Sequence, residues 1–172
     1  MVQIINYILA SLTVFAQILI LFLAYSYFFS PKGLGVFKNN YLILAFIVAL
    51  AATLGSLFYS EIAGYEPCKL CWFQRIFMYP QVFLLGLALY KKDLGMAPYS
   101  LLLSSVGAVI AFYHYLLQLN IAPSLPCSAM GYSVSCSQVF VMNFGYITIP
   151  LMAFSAFVLL IFLALINKKI GV

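Results

Sequence analysis

The chain has 172 residues, of which 66% are hydrophobic and only 6% are charged, and its formal net charge is +5. So few charged side chains cannot cover the surface of a soluble domain, and the composition therefore indicates an integral membrane protein. The positive charge does not indicate nucleic-acid binding, because the basic residues form no continuous face. They lie in short groups between apolar runs, as loop lysines that set membrane topology do.

Five apolar runs follow one another along the chain, each close to the roughly 20 residues that a helix needs to cross a bilayer. They are predicted to be helices, because lipid cannot satisfy a bare backbone. The first run is interpreted as a retained span, since it lacks the basic start and the small-residue cleavage site of a signal peptide. The predicted spans are Tyr7–Phe29, Tyr41–Ser60, Trp72–Tyr90, Pro98–Leu119 and Phe144–Ile166.

The lysines predict the orientation of these spans. Six of them fall in the first loop, in the third loop or after the last span, which an N-terminus-out arrangement places together in the cytoplasm. The chain is thereby predicted to be a multi-pass cell-membrane protein with its N-terminus outside the cell and its C-terminus in the cytoplasm. The six are Lys32, Lys38, Lys91, Lys92, Lys168 and Lys169.

All four cysteines are then predicted to lie outside the cytoplasm, where disulfides persist. Cys68 and Cys71 fall in the second loop, within "EPCKLCWFQR", and Cys127 and Cys136 fall in the fourth. The first pair opens a predicted span, and its spacing to Arg75 puts all three side chains on one helix face. A helix N-terminus and a guanidinium both favour a thiolate, so this pair is interpreted as redox-active.

Other interpretations of these cysteines remain. A structural disulfide between Cys68 and Cys71 would close a very short loop and constrain the unfolded chain little. A zinc site would use all four cysteines, but the eight residues between Cys127 and Cys136 exceed the usual ligand spacing. Arg75 could simply anchor the topology, but an arginine on the outer side runs against the positive-inside trend. The pair Cys127–Cys136 alone fits a stabilising disulfide as well as an exchanging one.

A redox relay at the membrane boundary needs an electron acceptor. The sequence has neither a haem-attachment motif nor a dinucleotide fingerprint, so a lipid-soluble quinone is the predicted acceptor. Arg75 is a candidate donor to a quinone oxygen. His114, the only histidine, is predicted either to bind the quinone or relay protons, or to be a packing residue. Gln118 lies one turn further out on the same face and is predicted to share either role.

The segment "PCKLCWFQR", followed by an apolar span and a later external cysteine pair, resembles the DsbB family of quinone-dependent thiol oxidases. The likeness covers about Tyr41 to Ile166, and "VSCSQVFVMNFGYITIPLMAF" is similar to the shorter Gram-positive-type BdbC branch. The resemblance implies an all-α membrane protein, an antiparallel four-helix bundle in residues 41–172 with two extracytoplasmic cysteine loops. Residues 1–40 would add one transmembrane helix and a cytoplasmic loop that the family core lacks.

Site roles are also implied by the resemblance. Cys71 would be the thiolate that faces the quinone, with Cys68 completing its disulfide. Cys127 would form a mixed disulfide with an extracytoplasmic thioredoxin-like oxidase, and Cys136 would resolve it. Arg75 and His114 match positions that support quinone binding.

Two rival functions are weighed against this one. A vitamin K epoxide reductase-like protein also couples thiols to a quinone, but its C-x-x-C follows the loop cysteines, whereas Cys68–Cys71 comes first here. A small membrane transport or assembly protein with structural loop disulfides would have unreactive cysteines. The near absence of acidic residues inside the spans argues against ion-coupled transport.

Overall fold

A computed structural model of the protein describes residues 2–29, 37, 40–122 and 135–170. Within them, a π-helical turn at Phe58–Ile62 continues the second long helix, and a 3-10 turn at Leu94–Met96 precedes the fourth. The predicted all-α architecture is confirmed. The five long helices are α1 (Val2–Phe29), α2 (Tyr41–Leu57), α3 (Lys69–Lys91), α4 (Ala97–Gln118) and α5 (Ile149–Ile170).

Helices α2 to α5 form a closed ring. Each packs against the next along the chain, and α5 returns to pack against α2, while α3 and α5 lie diagonally and touch little. Helix α1 stays outside the ring and packs mainly on α5. The prediction of a four-helix bundle with one additional N-terminal helix is therefore confirmed.

Most of these helices suit a membrane by length and composition. Among the described residues, four helical stretches are long and apolar enough to span it: Val2–Phe29, Tyr41–Ile62, Leu94–Gln118 and Ile149–Lys168. Helix α3 is the least hydrophobic of the five, because it carries Gln74, Arg75 and Gln81. All three are buried inside the bundle, where polar groups avoid contact with lipid. The chain is a multi-pass membrane protein.

A buried amide fastens α3 to α4. Gln81 is fully buried, and its Oε1 accepts hydrogen bonds from the hydroxyls of Ser100 at 2.8 Å and Ser104 at 3.1 Å. Its Nε2 donates to the carbonyl of Phe77 in the preceding turn at 2.9 Å. Hydrogen bonds of this kind between helices stabilise membrane bundles by about 0.6–2 kcal/mol each.

The predicted start of the fifth span is wrong. It was expected at Phe144, but α5 begins at Ile149, and a tight turn precedes it. Asn143 and Ile147 exchange backbone hydrogen bonds of 2.9 Å across this turn. Phe144 and Gly145 have positive φ, which no helix allows. The turn is apolar because Phe144 packs its ring edge-on against Tyr7 of α1. Its apolar residues therefore resembled the start of a membrane-spanning helix.

An aromatic stack joins the two segments that carry the cysteines. The ring of Tyr65 lies between Tyr59, at 6.0 Å, and Phe140, at 5.0 Å, with both pairs nearly parallel. Tyr59 comes from the π-helical turn and also donates to the sulfur of Met152 on α5 at 3.7 Å. The stack therefore holds the segment before Cys68 against the segment after Cys136.

Candidate active site

The C-x-x-C pair lies at the N-terminus of α3. Cys68 is the N-cap in an extended conformation, and Cys71 lies in the first turn. The Cys68 thiol donates a hydrogen bond to the sulfur of Cys71 across 3.2 Å. Both sulfurs therefore lie where the helix dipole favours negative charge, as the spacing predicted.

The two sulfurs do not ionise equally. The hydrogen bond to Cys71, followed by burial, raises the pKa of the Cys68 thiol to about 12, although His114 acts in the opposite direction. Cys68 therefore keeps its proton and presents it to Cys71. The sulfur of Cys71, which accepts this hydrogen bond and faces a cavity, is left as the nucleophile.

Arg75 is held inside the bundle and does not extend to the surface. Its Nε donates to Ser56 Oγ at 3.0 Å, and its Nη2 donates to the Ser56 carbonyl at 3.1 Å. Tyr79 donates to the same hydroxyl at 3.2 Å. The guanidinium also lies over the rings of Trp72 and Tyr79, with centroids at 5.1 and 5.9 Å. Ser56 was not predicted as a site residue, because it lies on another helix and no motif marks it.

His114 lies against the cysteines and is almost fully buried. Its Nε2 is 3.1 Å from the carbonyl oxygen of Cys136 and 3.6 Å from Cys68 Sγ. A carbonyl only accepts, so Nε2 carries the proton. The neutral ring then accepts at Nδ1, where Gln74 Nε2 donates at 2.8 Å. Both ring nitrogens are engaged within the protein, and the ring also lines the cavity described below, so its predicted role at a quinone stays a prediction.

Gln74 was missed as a site residue, although it lies inside the motif quoted for the resemblance. Its side chain is buried and fixes the tautomer of His114. A glutamine three residues after Cys71 reads as an ordinary polar residue in the sequence. Its role depends on the position of α4, which spacing along α3 cannot supply.

Cys136 lies close to the pair Cys68 and Cys71 in the folded chain. It is buried in one cluster with Cys68 and Leu117. The Gln118 amide donates to the carbonyl of Gln138 at 2.9 Å, which ties the segment after Cys136 to the end of α4. Gln118 thus holds a loop. Cys127, the predicted partner of Cys136, lies outside the described residues.

The cluster also offers metal ligands. The side-chain ligand atoms of Cys68, Cys71 and His114 all lie within 4.8 Å of one another. Two thiolates and one imidazole are ligands that zinc takes. This group differs from the four-cysteine set considered from the sequence, which includes Cys127 and so lies partly outside the described residues.

A cavity of about 400 Å³ opens beside Cys71 and Arg75. Its walls are largely apolar, with Ser56 and Tyr79 as polar groups near the guanidinium. This volume and this mixture of apolar walls and a few convergent polar groups are typical of small-molecule sites. A quinone, which combines an apolar ring and tail with two acceptor oxygens, fits such a site.

Comparisons with known proteins show the family of the chain. The family model described as "Disulfide bond formation protein DsbB" matches residues 38–167. A probable disulfide formation protein C 1 of Bacillus anthracis is 48% identical over 122 residues, which is 70% of this chain and 87% of that protein. Disulfide bond formation protein C of Bacillus subtilis (strain 168) is 43% identical over 128 residues, 72% of this chain and 91% of that protein.

The likeness extends beyond Bacillus. A probable disulfide formation protein of Metapseudomonas resinovorans is 40% identical over 132 residues, which cover 76% of this chain and 90% of that protein. No solved structure matches the chain. The matched family residues contain the whole ring α2–α5 with its cysteine cluster down to residue 167, and the chain accordingly belongs to the DsbB family of disulfide bond formation proteins.

Proposed function

We propose that the protein reoxidises an extracytoplasmic thioredoxin-like oxidase and passes the electrons through two cysteine pairs to a membrane quinone. Family membership supports thiol oxidation in disulfide formation. The observation that carries the finer proposal is the cluster of Cys68, Cys71, His114 and Cys136 beside the Arg75 cavity. A purely structural disulfide protein has no need of a buried charge next to a thiol pair.

The first exchange involves the external partner. A partner thiolate attacks the Cys127–Cys136 disulfide, forms a mixed disulfide with Cys127 and releases Cys136 as a thiolate. The second partner thiol, as thiolate, then resolves this mixed disulfide by attacking the partner sulfur bonded to Cys127, which releases the oxidised partner and leaves Cys127 reduced. Resolution by Cys136, which the resemblance implied, would only restore the starting disulfide. Two electrons and two protons have moved from the partner to this pair.

The second exchange moves the electrons inward. The Cys136 thiolate attacks Cys68 of the Cys68–Cys71 disulfide and expels Cys71 as a thiolate. Attack on Cys68 is supported by the burial of Cys136 and Cys68 in one cluster. Cys127 then attacks Cys136 and expels Cys68. The Nε2–H of His114, 3.6 Å from Cys68 Sγ, stabilises the departing thiolate. Cys68 takes up a proton and donates it in the hydrogen bond to Cys71.

Cys71 and Arg75 act at the end of the relay where the quinone accepts the electrons. A bound quinone supplies the oxidant that takes two electrons and two protons from the dithiol. Ser56 and Tyr79 fix the guanidinium of Arg75, so that it stabilises negative charge on an acceptor oxygen without reorganising. Cys71, left without its proton by the bond from Cys68, is the sulfur that donates electrons there.

The proposal includes the predicted membrane orientation. The cysteine loops are extracytoplasmic, the N-terminus is outside and the C-terminus inside, as the six loop lysines favour. Residues 41–172 are the functional bundle, and residues 1–40 are the added helix with its cytoplasmic loop. An external thioredoxin-like partner reaches the cysteines only in this orientation.

The test is anaerobic quinol formation by the purified protein given a reduced thioredoxin-like oxidase and a quinone. We expect turnover in the wild type and none in Cys68→Ser or Cys71→Ser. Ser105→Ala is the matched control, because within the described part of the chain its hydroxyl bonds the Leu101 carbonyl of its own helix at 2.7 Å. Undiminished quinol formation in either cysteine variant would disprove the relay.

A further inference from the structure

Helix α1 forms a wall of the acceptor cavity. Its lining residues recur at intervals of three and four and so occupy one helix face over about 15 Å. The remaining cavity walls come from the ring helices, above all α2 and α5. The α1 residues that line the cavity are Leu9, Leu12, Thr13, Phe15, Ala16 and Leu19.

Polar contacts fix this face in place. Gln17 Nε2 donates to Ser155 Oγ on α5 at 3.3 Å, and the Tyr146 hydroxyl donates to Gln17 Oε1 at 3.1 Å. Near the helix start, Asn143 Nδ2 donates to the carbonyl of Asn6 at 3.1 Å. A helix that only anchors the chain in lipid requires no such contacts. These three set both the height and the rotation of α1 against the ring.

The cavity is longer than an aromatic ring alone requires. Along α2 it reaches from Ser56, beside Arg75, down to Leu44, a distance of about 18 Å by helix rise. Its deep end is lined by Leu19, Leu44 and Leu159 and by no charged group. An apolar channel that continues from a polar head site suits a lipid-soluble molecule with a long hydrocarbon tail.

We propose that α1 is the lipid-side wall of the acceptor site and that Thr13, Ala16 and Leu19 contact the isoprenoid tail of the acceptor. The inference rests on the proposed function for the identity of the acceptor. It assigns a role to the helix that lies outside the matched family residues 38–167. The ring α2–α5 supplies the redox groups, and α1 selects for acceptors whose tail fills the enclosed length.

The first test maps the tail in the unaltered protein. The probe is a quinone that carries a photoreactive diazirine in its alkyl tail, and labelled peptides are identified by mass spectrometry. We expect label on residues 9–19 of α1 that an excess of the same quinone without the diazirine removes. Label on α1 that the competitor does not remove, or competed label confined to the ring helices, would overturn the proposal.

The second test uses two tryptophan variants on α1. Ala16→Trp puts a large ring into the cavity, whereas Leu21→Trp changes a side chain that is 71% exposed on the lipid side. We expect Ala16→Trp to raise KM for a long-tailed quinone by about tenfold, the scale of one lost apolar contact region. KM for a tailless quinone and the values for Leu21→Trp should stay within about twofold of wild type.

The two tests separate this inference from the proposed function. A wild type that forms no quinol refutes the function. Normal turnover with equal tail dependence in Ala16→Trp and Leu21→Trp refutes only the role of α1. If Ala16→Trp does not fold, which its helical content and melting temperature reveal, the competed labelling of the unaltered protein decides the matter.

Discussion

At the residue scale, the position of one proton determines the chemistry of the C-x-x-C pair. Cys68 holds it and donates it to Cys71, and His114 supports Cys68 from the other side. In the proposed relay, Cys71 acts at the cavity and Cys68 exchanges with Cys136, with which it shares a buried cluster. The proposal thus gives two sulfurs three residues apart separate tasks because their neighbours differ.

The raised pKa of Cys68 predicts a pH dependence of alkylation. Because the pKa of Cys68 is about 12, its thiolate fraction is small at neutral pH and rises about tenfold per pH unit. In the reduced protein, iodoacetamide should label Cys71 first, and the labelling rate of Cys68 should climb through pH 10 without levelling. Peptide mass spectrometry gives both rates. A plateau for Cys68 below pH 9 would contradict this assignment.

Gln74 is predicted to act through His114. Gln74→Leu removes the donor to Nδ1, leaves a buried acceptor unpaired and releases the tautomer that keeps Nε2–H toward Cys136 and Cys68. Loss of one neutral hydrogen bond, about 0.5–1.5 kcal/mol, should lower turnover about threefold to tenfold.

Gln74→Glu is the matched comparison for that substitution. Its carboxylate favours a doubly protonated ring, which retains Nε2–H, so this variant should keep more activity than Gln74→Leu. Steady-state quinol formation over a range of pH measures both variants. Equal activity of Gln74→Leu and wild type would remove Gln74 from the mechanism.

At the element scale, the most extensive contact between described helices is that of α4 with α5. A Cβ added at Gly107 would lie 2.3 Å from the ring of Phe157, which is fully buried and cannot move away. Gly107→Ala should therefore destabilise the bundle by about 1–3 kcal/mol through overpacking. The melting temperature in detergent measures this effect.

Gly55→Ala is the control for that prediction. Its added methyl group would lie 3.4 Å from Leu9 Cδ2, an ordinary van der Waals contact. The melting temperature of this variant should stay close to that of the wild type. If Gly107→Ala melts as the wild type does, the α4–α5 contact is looser than the ring position of Phe157 indicates.

Helix bounds were predictable where apolar runs end at charges or turn residues. The predicted fourth span Pro98–Leu119 and the helix α4, Ala97–Gln118, differ by one residue at each end. The start of α5 was not predictable, because Phe144 is apolar but belongs to a turn that packs on α1. Hydropathy reports burial in lipid or protein and does not distinguish a buried turn from a helix.

At the scale of the whole molecule, the ring brings distant residues together. Spacing along α3 predicted that Cys68, Cys71 and Arg75 share a face, since that face is set within one helix. The contacts of His114 with Cys68 and with the Cys136 carbonyl depend on how α4 and the last loop dock onto α3. No local pattern encodes that docking, so the contacts of His114 could not be predicted, whereas its predicted role at the quinone stays a prediction that its place in the cavity wall allows.

Helix α1 also shows that the sequence predicts a helix better than it predicts the contacts of that helix. Its length and hydropathy predicted a span, and the structure has one at Val2–Phe29. Its cavity-lining face could not be predicted, because α1 is apolar on nearly all sides. Contacts such as those of Gln17 with Ser155 and Tyr146 reveal which side turns inward.

The stoichiometry of a single turnover tests the central claim of a two-pair relay ending at a quinone. The protein is fully reduced, freed of reductant and mixed with excess quinone without any partner protein. Two dithiols, Cys127–Cys136 and Cys68–Cys71, should yield about two quinols per protein, and Cys127→Ser/Cys136→Ser should yield about one. Cys71→Ser should yield none. One quinol from the wild type, or any quinol from Cys71→Ser, would contradict the relay.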